Sequence, residues 1–348
     1  CVYIGYSATV QANLFNYNQD TNPCFPSNFC SLLRYPHHRA EGDDNAPSPD
    51  VSYQTESINS MYCGGWTFHN WCESRGEENF FHINSNPYMG ANLDENDLVA
   101  ALSNYLVSGA SRWILAGRNG FPINDTEVIQ DDDRVLPEPH TMLINPSTRQ
   151  DTHWISSSSL INSFFRSAGI ESITPENMQN EEMRATLWER AKSGIDIWLQ
   201  THNGAIYEAY QGHRRSFSIV DRPSWDGSFS NTEFPGFEEV REAILEIMPH
   251  IKLKVLNGNS GDFLRYAVRS MPNGEGFLPP HDIFTIAIGG IKMGRGLTIE
   301  GLCTTLFLTG NSADDTTIQR QRWFGYRGRH LEYCRVFMPN SVWSTQNA

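Results

Sequence analysis

Several features are missing from this 348-residue sequence, and each absence excludes something. No apolar run approaches the roughly 20 residues of a membrane-spanning helix, and the start lacks the basic-then-apolar layout of a secretory signal. The seven cysteines form no C-x-x-C pair. Buried reduced thiols are therefore a plainer reading than a metal site built with His37, His38, His69 or His82. Basic residues are not in excess: 26 Lys and Arg stand against 40 Asp and Glu, a formal net charge of −14. That argues against a uniformly basic nucleic-acid-binding surface. A local basic groove remains open, because Arg320, Arg322, Arg327, Arg329 and Arg335 crowd into one stretch. There is no G-x-x-x-x-G-K-S/T phosphate loop, no acidic magnesium-binding box before Ser7, no internal repeat and no low-complexity tract. The first residue is Cys1 rather than Met, and it opens what reads as a core strand. The expectation is a fragment or processed chain whose upstream part is absent, from an intracellular, cytoplasmic protein.

What is present reads as α/β. Residues 2–4 form a short β-prone run that ends in Gly5 and small polar residues, the pattern of a buried parallel strand with a working loop at its carboxyl end. Residues 16–95 are rich in Asn, Asp, Pro, Ser, Gly and aromatics without sustained period, which predicts a loop-rich insertion with short strands. Trp66, Trp71, Phe80 and Phe81 predict that it packs. Leu98, Leu102, Leu106 and Ile114 recur near helical spacing, so residues 94–116 predict a helix stopped by Gly117. Residues 118–139 read as an acidic surface loop and 141–145 as a strand. Residues 156–168 and 175–199 read as helices, the second capped by Thr174 with Pro175 in first place. Residues 203–233 look mixed, and 237–248 predict an amphipathic helix. Strands are predicted at 252–256, 283–288 (a central one), 302–308 and 333–337. This alternation from residue 96 onward implies a parallel sheet with helices on both faces.

Chemistry concentrates near the C-terminus. The string IGGIKMGRGLTIEGL at 288–302 places Gly289, Gly290, Gly294, Gly296 and Gly301 directly after a strand. Glycine permits a tight turn and close approach to a phosphate. Arg295 can reach an anion, and Thr298 and Glu300 can bind a sugar, a phosphate or a neighbouring loop. An ordinary strand-to-helix turn is the bland alternative. A helix then starts at Ser312, with Asp314 and Asp315 in its first turn. Asp315, Gln319 and Arg322 share one face, and Gly325 ends the helix, leaving Arg327 just beyond. Two arginines at one helix end can neutralise charge on a transferring phosphoryl group; salt bridging to the many acids is their bland role. Trp323, Phe324 and Tyr326 can stack on bases, with core packing preferred for Phe324. Arg149, Lys252 and Lys254 are candidates for phosphate contact. Asp131, Asp132 and Asp133 read as a solvated loop, and no nuclease residues are assigned.

Together these segments resemble motifs V and VI of superfamily 2 helicases, and Ser7-Ala8-Thr9 resembles motif III. GYSATVQAN at 5–13, the 288–302 string and RWFGYR at 322–327 are similar to the Z1 domain family. Phe25-Pro26 and Cys334-Arg335 also fit its layout. Met293-Gly294 stands where the family often has Leu-Ser, Gln321 where a glycine is usual, and Val10 where a proline is expected. The family is labelled as proposed endonucleases, mostly prokaryotic and linked to restriction and phage defence, with a helicase-like ATPase core.

The resemblance implies a RecA-like fold in three parts. Residues 1–15 would end a first lobe, 16–95 would be the loop-rich insertion, and 96–345 a second lobe carrying motifs V and VI. It implies a hydrolase that uses ATP and Mg2+, with their main ligands upstream of this chain. Arg322 and Arg327 would act as arginine fingers, with Gln319 beside them. Gly294, Arg295, Gly296, Thr298 and Glu300 would form a coupling loop, and Ser7 and Thr9 would relay the nucleotide state. The implied partners are DNA or RNA, the upstream ATPase lobe and defence-system proteins. The rival expectations are a non-catalytic scaffold or binding module of the same fold, and a metal-dependent nuclease with its site in residues 16–95.

Overall fold

A computed structural model describes residues 62–63, 80–84, 93–116, 126, 128, 139–147, 149–219, 233–271, 276–290, 299–309, 325–326 and 331–342. In chain order the strands and α-helices are β1 (Tyr62–Cys63), β2 (Phe80–Ile83), α1 (Glu95–Leu115), β3 (His140–Asn145), α2 (Gln150–Ser167), α3 (Glu181–Lys192), α4 (Ile195–Thr201), α5 (Asn203–Ile219) and α6 (Phe237–Ile247), followed by β4 (Lys252–Leu256), β5 (Arg269–Ser270), β6 (Phe277–Leu278), β7 (Phe284–Gly289), β8 (Leu302–Phe307), β9 (Gly325–Tyr326) and β10 (Arg335–Pro339). Six strands form one sheet in the order β2-β10-β8-β3-β7-β4, and every neighbouring pair is parallel.

The strands of this sheet are short apolar runs that return through crossovers, the pattern of a parallel sheet. Side chains alternate between its faces. Met142 and Ile144, with Phe284, Ile286, Ile288, Val255, Leu306 and Phe337, join one cluster fed by all six helices. On the opposite face Leu143, Ala287, Leu256 and Leu302 pack with Ile299 and the partly buried Leu264. Tyr266 lies on that side too, its hydroxyl 3.1 Å from Thr141 Oγ1. Among the described residues the helices thus lie on one face, and the cover of the other face is not helical. The predicted helix begun at Ser312 lies outside the described residues.

The predicted helix over 94–116 is present. Asp94 caps it, accepting hydrogen bonds from the amides of Asn96 and Asp97 at 2.9 and 3.3 Å. It is buried nearly all round because α5 and α6 pack over the side turned from the sheet. Two helices depart from the sequence reading. The first, α2, starts at Gln150 rather than 156, and its early turns bury serines instead of aliphatics. Ser157 and Ser158 satisfy their hydroxyls on carbonyls one turn back, at 2.8 Å each, which hides the apolar period. The second is α5, a regular helix in the stretch read as mixed. Its buried face mixes Ile206, Ala209 and Tyr210 with His213 and Ser216, so polar residues break the pattern. The predicted helix over 175–199 is divided into a 3-10 turn (Pro175–Met178), α3 and α4.

Strand placement also refines the reading. β3 and β8 hold the middle of the sheet, and β7 lies one strand in from the β4 edge. The opposite edge, β2, comes from within the stretch read as an insertion, and Phe81 stacks on Phe337 at 4.7 Å between ring centroids. The exposed edge of β4 is protected, since Asp262 Oδ2 accepts the Val255 amide at 2.8 Å. β10 starts at Arg335, because residues 331–333 form a 3-10 turn. The Cys303 and Cys334 side chains are buried. No helix among the described residues is long and apolar enough to cross a membrane.

A candidate crevice at the carboxyl edge of the sheet

In an open parallel sheet, ligands bind beyond the carboxyl ends of the strands, where neighbouring chains leave toward opposite faces. That condition is met between β3 and β7. After β3 the chain enters α2 on the helical face. After β7 it has crossed to the other face by Ile299. The two strands pair in register from His140↔Phe284 to Ile144↔Ile288, so Ser147 and Gly290 arrive together at this edge.

The turns there are knit closely. A Cβ on Gly290 would lie 2.3 Å from the Ser147 carbonyl oxygen and 2.9 Å from His153 Nε2. Only glycine fits that approach. His153 Nε2 is in turn 3.1 Å from the Ser147 carbonyl oxygen. Gln150, the first residue of α2, reaches the turn after β4, where a Cβ on Gly258 would meet its Nε2 at 2.8 Å. The end of β8 is tied in as well. The Leu308 amide donates to the Asn145 carbonyl at 2.8 Å, and Thr309 Oγ1 bonds Asn145 Oδ1. Four strand ends thus converge on the loop after β3. Burial lowers the His153 pKa below its usual value, against the opposing pull of the Ser147 carbonyl and the Asp151 carboxylate.

Of the residues singled out from sequence, Ser7, Thr9, Gly294, Arg295, Gly296, Thr298, Gln319, Arg322 and Arg327 lie outside the described residues. Glu300 is described. It sits on the surface at the opening of β8, where its carbonyl accepts from Thr141 Oγ1 at 2.8 Å. Partial desolvation raises its carboxyl pKa. Glu300 therefore stands at the amino edge of the sheet, a strand length (about 17 Å) from Gly290. The adjoining Gly301 has φ 60°. Gly289 and Gly290 are where the strand-then-glycine pattern placed them.

Arg149 is paired at 2.6 Å with Asp151 on the surface. Lys252 donates to the His281 carbonyl, and Lys254 lies 3.9 Å from Asp282. Gly325 and Tyr326, from the arginine-rich string, pair antiparallel with Cys63 and Tyr62. Among the described residues no group of three or more His, Cys, Asp or Glu is placed to hold a metal ion. Sequence reasoning missed Asn145, Ser147, His153 and Thr309. The string Asn-Pro-Ser directly after a strand, with a histidine in the following first helical turns, was the available signal.

The described residues thus form an open, parallel α/β sheet whose connections leave β3 and β7 toward opposite faces. A Z1 domain family model matches residues 100–348, well over half of the sequence, and the chain belongs to the Z1 domain family. No curated protein and no solved structure matches it.

Proposed function

We propose that this chain is a nucleotide-dependent, helicase-like motor segment, the second RecA-like lobe of an ATPase that acts on nucleic acid. One observation supports this reading above the others. β7 and β8 flank β3 on its two sides, and their ends are level across it, with Ile288 opposite Ile144 and Phe307 opposite Asn145. The segment bearing Gly294, Arg295, Gly296 and Thr298 therefore departs from one side of the crevice. The segment bearing Gln319, Arg322 and Arg327 departs from the other. Their roots are two strand spacings apart, about 10 Å. Such an arrangement suits two groups that must meet on one polyphosphate.

Asn145 at the end of β3 and Thr309 just beyond β8, both polar, fit the walls of such a crevice. Gly290 is filled against Ser147 and His153, so it seats loops on each other and does not itself cradle phosphate. Bound ATP with Mg2+ supplies the phosphoanhydride bond to be cleaved. Its phosphate loop and acidic box would come from outside these 348 residues. Arg322 and Arg327 would stabilise negative charge on the transferring phosphoryl group, where fixed guanidinium groups are most effective. Arg295 would link that site to nucleic acid.

The test is DNA-stimulated ATP hydrolysis by the full-length protein. Arg322→Ala and Arg327→Ala should each lower turnover by about a thousandfold or more. Unchanged turnover in both variants overturns the finger assignment. No hydrolysis by the wild-type protein overturns the motor and leaves a binding scaffold.

A further inference from the structure

His153 is only 2% exposed, yet it is half satisfied. Its Nε2 faces the Ser147 carbonyl at 3.1 Å. A carbonyl only accepts, so Nε2 holds the ring proton, and Nδ1 of the neutral ring is a bare acceptor. Nδ1 is buried without a hydrogen-bond partner. For packing alone such a ring is a poor choice, because a buried unpaired polar atom is destabilising and a leucine has none. The ring does something leucine cannot. It pulls on the carbonyl of the turn after β3 while its edge abuts the turn after β7. A Cβ on Gly290 would meet its Nε2 at 2.9 Å and its Cε1 at 3.2 Å. The charged group acting on it is Asp151 on its own helix, already paired with Arg149.

We infer that His153 is a positioning residue, a hydrogen-bonded wedge that fixes the direction in which the chain leaves β7 at Gly290. It thereby acts on the root of the segment that bears Gly294, Arg295 and Gly296 in the sequence. It acts through Ser147 and Gly290. Its consequence for turnover rests on the motor reading above; the wedge itself rests on geometry.

The experiment compares His153→Phe and His153→Gln in the full-length protein. Phenylalanine keeps the bulk and cannot donate. The glutamine amide nitrogen can reach the place of Nε2 and donate to Ser147. Two readouts are followed: amide hydrogen exchange over residues 286–290, and DNA-stimulated ATP hydrolysis with kcat and KM separated. His153→Phe should speed exchange there and lower kcat about a hundredfold, as a misplaced site does, with a smaller change in KM. His153→Gln should restore both. Unaltered exchange in His153→Phe, or no recovery in His153→Gln, overturns the wedge. Faster exchange with unchanged kcat overturns its role in turnover. If the wild-type protein hydrolyses nothing, the motor reading fails, and the exchange comparison still decides for or against the wedge.

Discussion

Arg184 and Asp262 form a buried salt bridge of 2.8 Å, with side chains 4% and 6% exposed. Each end has a second duty. Arg184 also donates to the Met178 carbonyl at 2.7 Å, and the same Asp262 oxygen accepts the edge amide of Val255 at 2.8 Å. The pair therefore ties α3 to the loop after β4.

Breaking that pair should be costly. Asp262→Ala leaves a buried guanidinium uncompensated and the Val255 amide unpaired, a loss of about 3–5 kcal/mol. Asp262→Asn keeps an acceptor for Val255 and should lose less. Urea unfolding of the variants checks the order. A loss near that of a surface pair, about 1 kcal/mol or below, would show that the bridge does not hold the loop.

Three glycines form a graded series. Gly169 has φ 66° and open space around a added Cβ, so Gly169→Ala meets only the left-handed backbone penalty of about 1–2 kcal/mol. Gly290→Ala meets the Ser147 carbonyl at 2.3 Å, a steric clash against backbone. Gly301→Ala combines φ 60° with an approach of 1.6 Å to the Pro139 carbonyl, and should be the most damaging. Thermal melting temperatures should fall in that order; Gly301→Ala as the mildest change would contradict the packing at the start of β8.

Acid should destabilise the protein through buried histidines. Burial first, and the Arg335 charge second, hold His213 well below its usual 6.5. Burial also lowers His153 and His202. Unfolding frees these rings to bind protons, so stability is fully present above pH 6.5 and is lost as pH falls toward the lowered folded-state values. His213→Gln should flatten the pH dependence of the unfolding free energy between about pH 7 and pH 5. An unchanged slope would mean that His213 is not the group responsible.

Trp198 is fully buried, stacks on Phe164 at 5.2 Å and donates to Ser163 Oγ at 3.0 Å. Trp198→Ala should lose about 3–5 kcal/mol. Trp198→Phe keeps the stacking and should lose less, as equilibrium denaturation would show. Equal losses would mean that the hydrogen bond, not the ring packing, dominates.

The sequence by itself determined the elements whose signal is local. α1 was legible from aliphatics at helical spacing behind Asp94, and β4, β7 and β8 from short apolar runs between turn formers. Gly289 and Gly290 were legible as a tight turn at the end of a buried strand, because glycine allows the close backbone approach that such a turn needs. Tertiary structure decided what depends on partners. Only packing against α1 made a helix of residues 203–219, whose buried face includes His213 and Ser216. Only the register of β7 on β3 brought Gly290 to Ser147 and His153. Backbone preference and hydrophobic period are written residue by residue, whereas a contact between distant turns exists only after the sheet has set which strand ends lie side by side.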